Sequence, residues 1–380
     1  MFSKIHNKKI LITGGAGFIG SNLALKLLEK GCKVTVLDNL SYRIHQDFSS
    51  SYNSIKDKVS FIKGTVLSRK DWIRSLKGID ILVHLAAETG TGESMYRIEK
   101  YTDVNIHGTS ILLDILANEN INLEKMVIAS SRALYGEGKY NCKDDGVVYP
   151  FARKDEDMSR GDFDVRCPIC NKSVELLPTD EESRIHPNSI YGITKQTQEQ
   201  MFLTTGESLK IPVVALRYQN IYGVGQALHN PYTGVISIFS SRIRKNLDIN
   251  IFEDGKGNRD FIYIDDAVDA TIIAIEKDEA NYEVLNVGSG YPLSIIDMTK
   301  MLIKQYKSNS RILIQGNYRI GDIRSNFADL TKITKLLGFK PKVSFDEGIK
   351  KTSIWAASQE ANTNMYDESI NEMKTRKLFK

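Results

Sequence analysis

Cysteine is scarce, with four residues in a chain of 380, too few for the disulfide framework that holds small secreted domains together. No apolar run approaches the ~20 residues that a membrane-spanning helix requires. The opening stretch from Met1 to Lys9 has neither a long hydrophobic region nor a small-residue cleavage site. No secretory signal is therefore expected, and the expected compartment is the cytoplasm. An excess of one charge sign is missing too. With 51 basic and 47 acidic residues and a net charge of +4, the chain lacks the concentrated basic surface that nucleic acid demands, so neither nucleic acid nor membrane is an expected partner. No internal repeat is found. What is present is an ordinary globular composition, 41% hydrophobic and 26% charged, with enough length for a large core and one secondary lobe.

Short β-rich runs alternate with helical patterns through the first part of the chain. Strands are expected at Lys9 to Thr13, Lys33 to Leu37, Val59 to Lys63, Ile79 to Leu85 and Lys125 to Ser130. Helices are expected where Leu23, Leu27 and Leu28 recur, and from Asp103 to Asn120. This rhythm implies an α/β fold, a doubly wound parallel sheet covered on both faces. It breaks from about Gly136 to His186, a stretch too long for an ordinary connection and so read as an insertion or lid. A helix from Ser189 to about Leu209 and a strand from Val213 to Tyr218 resume it. The expected organisation is a nucleotide-binding domain over 1–223, with that insertion, and a smaller mixed α/β substrate lobe over 224–357. One strand and helix of the lobe are candidates to return to the main sheet. A polar tail over 358–380 is read as a surface helix or a partly disordered end.

Between the first strand and first helix stands Thr13-Gly14-Gly15-Ala16-Gly17-Phe18-Ile19-Gly20. Gly14, Gly17 and Gly20 permit a tight turn, close backbone approach to a pyrophosphate, and close helix–sheet packing. The helix start, with Phe18 and Ile19, offers free N–H groups and positive potential to phosphate. A glycine-rich turn taken alone is also compatible with a purely structural role. Asp38, closing the second strand beside Asn39, tips the balance, because a carboxylate there accepts both ribose hydroxyls and repels a 2′-phosphate. The expected cofactor is NAD rather than NADP.

Tyr-x-x-x-Lys places a phenol and an ammonium on one helix face, and the ammonium favours phenolate. Bringing a phenol from ~10 to about 7 takes ~4 kcal/mol of differential stabilisation, which a lysine plus a positive nicotinamide ring can supply. Four pairs match: Tyr52/Lys56, Tyr96/Lys100, Tyr135/Lys139 and Tyr191/Lys195. Tyr52 falls in what reads as a serine-rich loop, Tyr135 precedes the helix-disfavouring Gly136 and Gly138, and Tyr96 lies in a stretch better used for cofactor contact. Surface pairing is the plain reading for those three. Tyr191 opens a long helix and follows a strand ending in Ser130-Ser131, so Tyr191, Lys195 and Ser131 are the expected catalytic set.

Together these segments resemble the NAD-dependent epimerase/dehydratase family, the extended branch of the short-chain dehydrogenases, from the first strand to about Trp355. The resemblance implies nicotinamide-side cofactor contacts from Leu85, Ala86, Ala87 and Asn105, a further contact from Val66, and a tyrosine meeting NAD at Tyr218. It implies substrate contacts at Thr91, Ser131 and Asn220. It places the nucleotide diphosphate and ribose at Arg259, Arg319 and Asp322, where guanidinium suits phosphate oxygens because its planar fork donates twice. An isolated surface ion pair, worth little, is the bland alternative for each arginine. Family likeness also implies a homodimer through a pair of helices, Asp103–Asn120 and Ser189–Leu209.

Two departures from the family pattern matter. Gly64-Thr65-Val66 stands where an Asp-Ile or Asp-Val usually contacts adenine. Ser131-Arg132-Ala133 stands where 4,6-dehydratases carry Thr-Asp-Glu, the extra acid and base that water elimination needs. A narrower likeness is to 4-epimerases of dTDP-6-deoxyhexoses, through Glu88 to Gly92, Ser131-Arg132-Ala133, Asn230 to Val235 and the cysteine-bearing insertion. The implied chemistry is transient oxidation and re-reduction at C4 of a nucleotide-diphosphate sugar. A UDP-hexose 4-epimerase, a reductase or decarboxylase, and a silent NAD-binding protein are the alternatives.

No metal belongs to this expected site. Within the insertion, Cys167-Pro168-Ile169-Cys170 has half of a zinc-knuckle spacing, with Cys142 on its other side and Asp144, Asp145 or His186 available as a fourth ligand. Cys32 is a poor candidate. Reduced thiols without metal are the plainer reading.

Overall fold

The computed structural model describes residues 4–45, 50–228, 230, 234–359 and 364–380. Pro231, Tyr232 and Thr233, part of one of the resembling segments, lie outside the described residues. So do the first three residues of the opening stretch and 360–363 of the tail.

Near-continuous apolar runs such as Ile10-Leu11-Ile12 and Val213-Val214-Ala215-Leu216 are what a strand buried on both faces requires. These residues are wholly buried. The main sheet has seven strands: β1 Lys9–Thr13, β2 Lys33–Asp38, β3 Ser60–Lys63, β4 Ile81–His84, β5 Lys125–Ser131, β6 Val213–Tyr218 and β7 Val284–Val287. Its order is β3-β2-β1-β4-β5-β6-β7 and every pairing is parallel. The order reverses between β1 and β4, and in such sheets ligands bind outside the carboxyl ends of strands at that switch point. Strand β7 follows the insertion and the first part of the lobe in sequence, so the chain crosses back into this sheet after Gly223.

Helix α1, Phe18–Glu29, covers one face with Leu23, Ala24 and Leu27 buried. On the other face α2, Gly108–Asn118, packs beside α3, Ile190–Leu209. The helical path into α2 begins at Ile98 and passes a π-helical turn at Asp103–His107. The lobe contributes the sheet of Asn220–Tyr222, Asn258–Tyr263 and Pro292–Ser294, with Ile249–Ile251 pairing with Ile312–Ile314. Helix α4, Ile264–Glu276, lies against α1.

One local reading is corrected, and the tail takes the helical form of its two expected alternatives. Tyr52 is not in a loop but in a short helix, Ser50–Ile55, held by tertiary contacts that override serine's weak propensity. Ser51 Oγ donates to the Gly225 carbonyl at 2.9 Å, and the Tyr52 ring meets Phe61 edge-on. The tail forms helix α5, Asn364–Thr375, and its end is anchored. Lys380 and Tyr318 exchange backbone hydrogen bonds at 2.9 and 3.0 Å, and Phe379 is buried. Among the described residues no helix is long and apolar enough to cross a membrane.

Candidate active site

A cavity of about 1070 Å³ opens at the carboxyl ends of β1, β2, β4, β5 and β6. That is at the top of the ~300–1,000 Å³ usual for one ligand, which leaves room for a dinucleotide and a second molecule. Its floor is the glycine turn. Gly14 has φ +67°, and a Cβ there would stand 2.9 Å from the Ala86 backbone; one on Gly20 would stand 2.5 Å from the Gly14 carbonyl oxygen. The turn is closed so tightly that only hydrogen fits, leaving bare backbone toward the cavity at the start of α1. At the end of β2 the Asp38 carboxylate is buried, accepts from Ala16 N at 3.0 Å and from Leu40 N at 2.9 Å, and retains lone pairs for a diol. Bare phosphate-facing backbone and a carboxylate one strand away form the donor and acceptor set that NAD requires.

Helix α3 brings the phenol and the ammonium to the opposite wall. Ser189 caps it, accepting from Gly192 N at 3.2 Å, and Tyr191 N donates to Ser94 Oγ at 3.0 Å. Gly192 lies against the turn after β5, where an added Cβ would be 2.6 Å from the Ala133 carbonyl oxygen. This near-contact seats Tyr191 beside Ser131 on the cavity wall, and Ser131 Oγ accepts from Ala133 N at 3.1 Å. Lys195, four residues on, is buried and donates to Gln198 Oε1 at 2.5 Å. Gln198 is fixed in turn by donating to Thr109 Oγ1 at 2.8 Å.

The electrostatics differ from the expectation for this trio. Burial pushes the Tyr191 phenol up, and the pulls that oppose it come from the Ser131 hydroxyl and Arg132, not from Lys195. Lys195 is itself lowered to about 7 by burial, against a smaller upward pull from Glu199. Protein groups alone therefore do not make a phenolate here. The positive ring of a bound cofactor is the remaining source of that stabilisation.

A buried network supports this wall from behind. Arg217 binds Glu199 through two hydrogen bonds of 2.6 and 3.0 Å and donates to Tyr135 Oη at 2.8 Å, while Ser130 Oγ donates to Glu199 at 2.5 Å. Tyr135, one of the rejected tyrosines, thus serves the framework, with burial driving its phenol well up. Tyr96 donates to Glu372 of α5 at 3.0 Å.

The cavity wall includes Gly14, Gly17, Phe18, Ile19, Gly20, Asp38, Asn39, Val66, Leu85, Ala86, Ala87, Thr91, Ser131, Tyr191, Lys195, Tyr218, Asn220, Arg259, Arg319 and Asp322. Asn105 is the exception. It is wholly buried away from the cavity, donating to the Glu88 carbonyl and Thr194 Oγ1, both at 3.0 Å, and accepting from Glu88 N at 2.8 Å. Its amide is spent on holding the Ala87–Glu88 loop against α3, so it positions that loop rather than touching a ligand. Tyr218 turns its hydroxyl to Thr271 at 2.7 Å. Asp322 is engaged by Arg319 through bonds of 2.7 and 3.0 Å. At Gly64-Thr65-Val66 the nearby Asp71 accepts from Thr65 N at 3.1 Å but is not on the cavity wall.

Arg132 was not among the expected site residues. It lies on the cavity wall between Ser131 and Ala133. Its Nε donates to Asn220 Oδ1 at 3.3 Å and its Nη1 is buried without a partner among the described residues. Burial, followed by repulsion from Arg259, drives it down to about 9. Arg259 is lowered by burial as well and spends Nη1 on the carbonyls of Asn258 and Arg324. Buried cations crowded at a cavity are costly unless an anion joins them. The sequence signal was available, an arginine replacing the dehydratase carboxylate, but its meaning depends on burial.

Fold order, glycine turn and Ser–Tyr–Lys wall define an extended short-chain dehydrogenase architecture. The family described as the NAD dependent epimerase/dehydratase family matches residues 10–154 and 169–288. The chain is 34% identical to a dTDP-L-rhamnose 4-epimerase of Burkholderia thailandensis, over 94% of this chain and 97% of that protein. It is 30% identical to a putative UDP-glucose 4-epimerase of Methanocaldococcus jannaschii, over 91% and 97% respectively. Among solved structures it is similar to a UDP-glucuronic acid 4-epimerase from Bacillus cereus in complex with UDP-glucuronic acid and NAD, with TM-score 0.74, 27% identity, and coverage of 92% of this chain and 99% of that one. The chain belongs to the NAD-dependent epimerase/dehydratase family, and its cofactor is NAD.

Proposed function

We propose that the chain is a nucleotide-sugar 4-epimerase acting on a dTDP-6-deoxyhexose, interconverting dTDP-L-rhamnose and dTDP-6-deoxy-L-talose. One observation carries this reading: Ser131, Tyr191 and Lys195 share one cavity wall, at a strand end where Arg132 and Ala133 leave no carboxylate for elimination. NAD, which the glycine turn, Asp38 and Lys195 would hold, would supply reversible hydride chemistry at the sugar C4. The chain's own residues manage the proton. Tyr191 Oη accepts it from the 4-hydroxyl, and Ser131 Oγ hydrogen-bonds the same oxygen while it changes charge. Lys195 holds the ribose beside the phenol. Arg132, Arg259 and Arg319 provide the positive wall for the diphosphate, and a keto sugar tethered by that group has space to turn over. The L-rhamnose assignment is supported by the 34% identical relative. A UDP-hexose substrate is favoured instead by the UDP-sugar carried in the similar solved structure.

The test is to incubate the purified protein with dTDP- and UDP-sugars, without added cofactor, and to read the C4 configuration by NMR. Inversion of dTDP-L-rhamnose is expected. Inversion of UDP-hexoses alone would move the substrate, and a stoichiometric demand for NADH would mark a reductase. We also propose a homodimer through α2 and α3. The outer stripe of α3, Ile193, Thr197, Gln200 and Thr204, carries no charge, and Ile193 is 44% exposed. A monomer mass by light scattering would overturn it.

A further inference from the structure

The insertion carries chemistry that the proposed epimerisation does not use. Two turns meet beside a small three-stranded sheet. The first joins antiparallel strands Tyr140–Cys142 and Gly146–Val148, with Cys142 opposite Gly146; it presents Cys142 and Asp145. The second is bracketed by the Arg166–Ser173 bridge and presents Cys167 and Cys170. It is tightened by Cys167 N donating to the Lys172 carbonyl at 2.8 Å, and by Asn171 in the left-handed region at φ 59°. Ile169 N donates to Cys167 Sγ at 3.4 Å, which fixes that sulfur in the turn.

The side chains of the two turns converge. One ligand atom each from Cys142, Asp145, Cys167 and Cys170 lies within 4.8 Å of the others. Cys142 Sγ is 3.5 Å from Cys170 Sγ and 3.3 Å from Asp145 Oδ2, which is 3.1 Å from Cys167 Sγ. A tetrahedral zinc with Zn–S ~2.3 Å and Zn–O ~2.0 Å has edges of about 3.5–3.8 Å, so these separations are close to those of a coordination shell. The other candidates for a fourth ligand are engaged elsewhere. Asp144 pairs with Lys172, and the His186 ring packs on Phe151.

We propose that Cys142, Asp145, Cys167 and Cys170 bind one structural zinc ion. Three thiolates select a borderline-soft ion, and four protein ligands leave no open position for catalysis. Binding three neutral thiols and one carboxylate releases three protons and leaves a site of formal charge −2, with Lys172 alongside. The metal also answers a deficit in packing. The buried core of this unit consists of Tyr140, Cys142, Val148, Val165 and Cys167, and units with so small a core need a staple. The unit borders the proposed diphosphate wall. Tyr140 Oη donates to the Ser325 carbonyl at 3.3 Å, and Arg153 bridges Glu137 and Glu253 while donating to the Asp322 carbonyl at 2.9 Å. Zinc therefore acts as a strut beneath substrate-facing residues, far from the proton chemistry in role.

The experiment is metal analysis by mass spectrometry of the full-length protein, produced with zinc supplied and freed of loose metal by dialysis. About one zinc per chain is expected. Cobalt(II) put in its place should give the intense visible bands of a tetrahedral thiolate site. Cys167→Ser combined with Cys170→Ser should abolish binding, Asp145→Asn should weaken it, and Asp144→Asn should leave it unchanged. Should the double variant not fold, the wild-type zinc count and cobalt spectrum decide the matter alone. Folded wild-type protein with well under one zinc, zinc content unaffected by the cysteine changes, or a Cys142–Cys170 disulfide in place of metal would each overturn the proposal.

Discussion

Burial works against the charge of Lys195, and this has a measurable consequence apart from catalysis. Its folded pKa of about 7 lies below the ordinary 10.5, so the unfolded chain binds more protons between those values and stability rises with pH across that window. The penalty is complete below about pH 7 and fades toward pH 10.5. Lys195→Met should therefore stabilise the cofactor-free protein by roughly 3–5 kcal/mol at pH 6, with the gain shrinking by pH 9.5; denaturant unfolding at the two pH values checks it. A variant less stable than wild type at pH 6 would contradict the assignment. Tyr191→Phe removes the proton carrier and little else, so turnover should fall roughly 100- to 10,000-fold with NAD content unchanged; wild-type turnover would refute its role. At this scale the sequence was legible where spacing dictates placement, as with Tyr191, Lys195, Ser131 and Asp38, which line one cavity. It was not legible for Asn105, because spacing does not say toward which side an amide is turned. Arg132 escaped because an unpaired buried cation is a property of the fold, not of a motif.

Helix α3 is positioned by contact with the turn after β5, and Gly192 is the point of closest approach. Gly192→Ala would drive a methyl to 2.6 Å from the Ala133 carbonyl oxygen and lift Tyr191 away from Ser131. Displacements near 1 Å cost about 100-fold in rate. The expected outcome is a drop of that order in kcat with NAD retained, measured on protein whose circular dichroism matches wild type. Unchanged kcat would show that the contact does not set the phenol's position. Six of the seven strands of the main sheet were readable because burial on both faces demands uninterrupted apolar runs, with strand ends drifting by one or two residues, whereas β7, Val284–Val287, was not located in the sequence. The Ser50–Ile55 helix was not readable, since its stability comes from Gly225 and Phe61, both remote in sequence.

Across the whole molecule, the end of the chain returns to the site. Tyr366, Ser369, Ile370 and Met373 of α5 line the cavity. The strand-like pairing of Ile320 N with the Leu378 carbonyl at 3.0 Å braces the segment that carries Arg319. Polar composition hid this, because the apolar positions at 366, 370 and 373 become a face only once the helix forms. Deleting residues after Gln359 should raise KM for the nucleotide sugar about tenfold, a loss of ~1.4 kcal/mol, without releasing NAD; an unaltered KM would show that α5 is peripheral. The most direct test of the central claim uses dTDP-L-rhamnose deuterated at C4, in ordinary water, with no cofactor added. The account predicts inverted product with the deuterium still on C4, because the same hydrogen leaves and returns within one closed site. Loss of the label to solvent, or label retained with no inversion at C4, would contradict it.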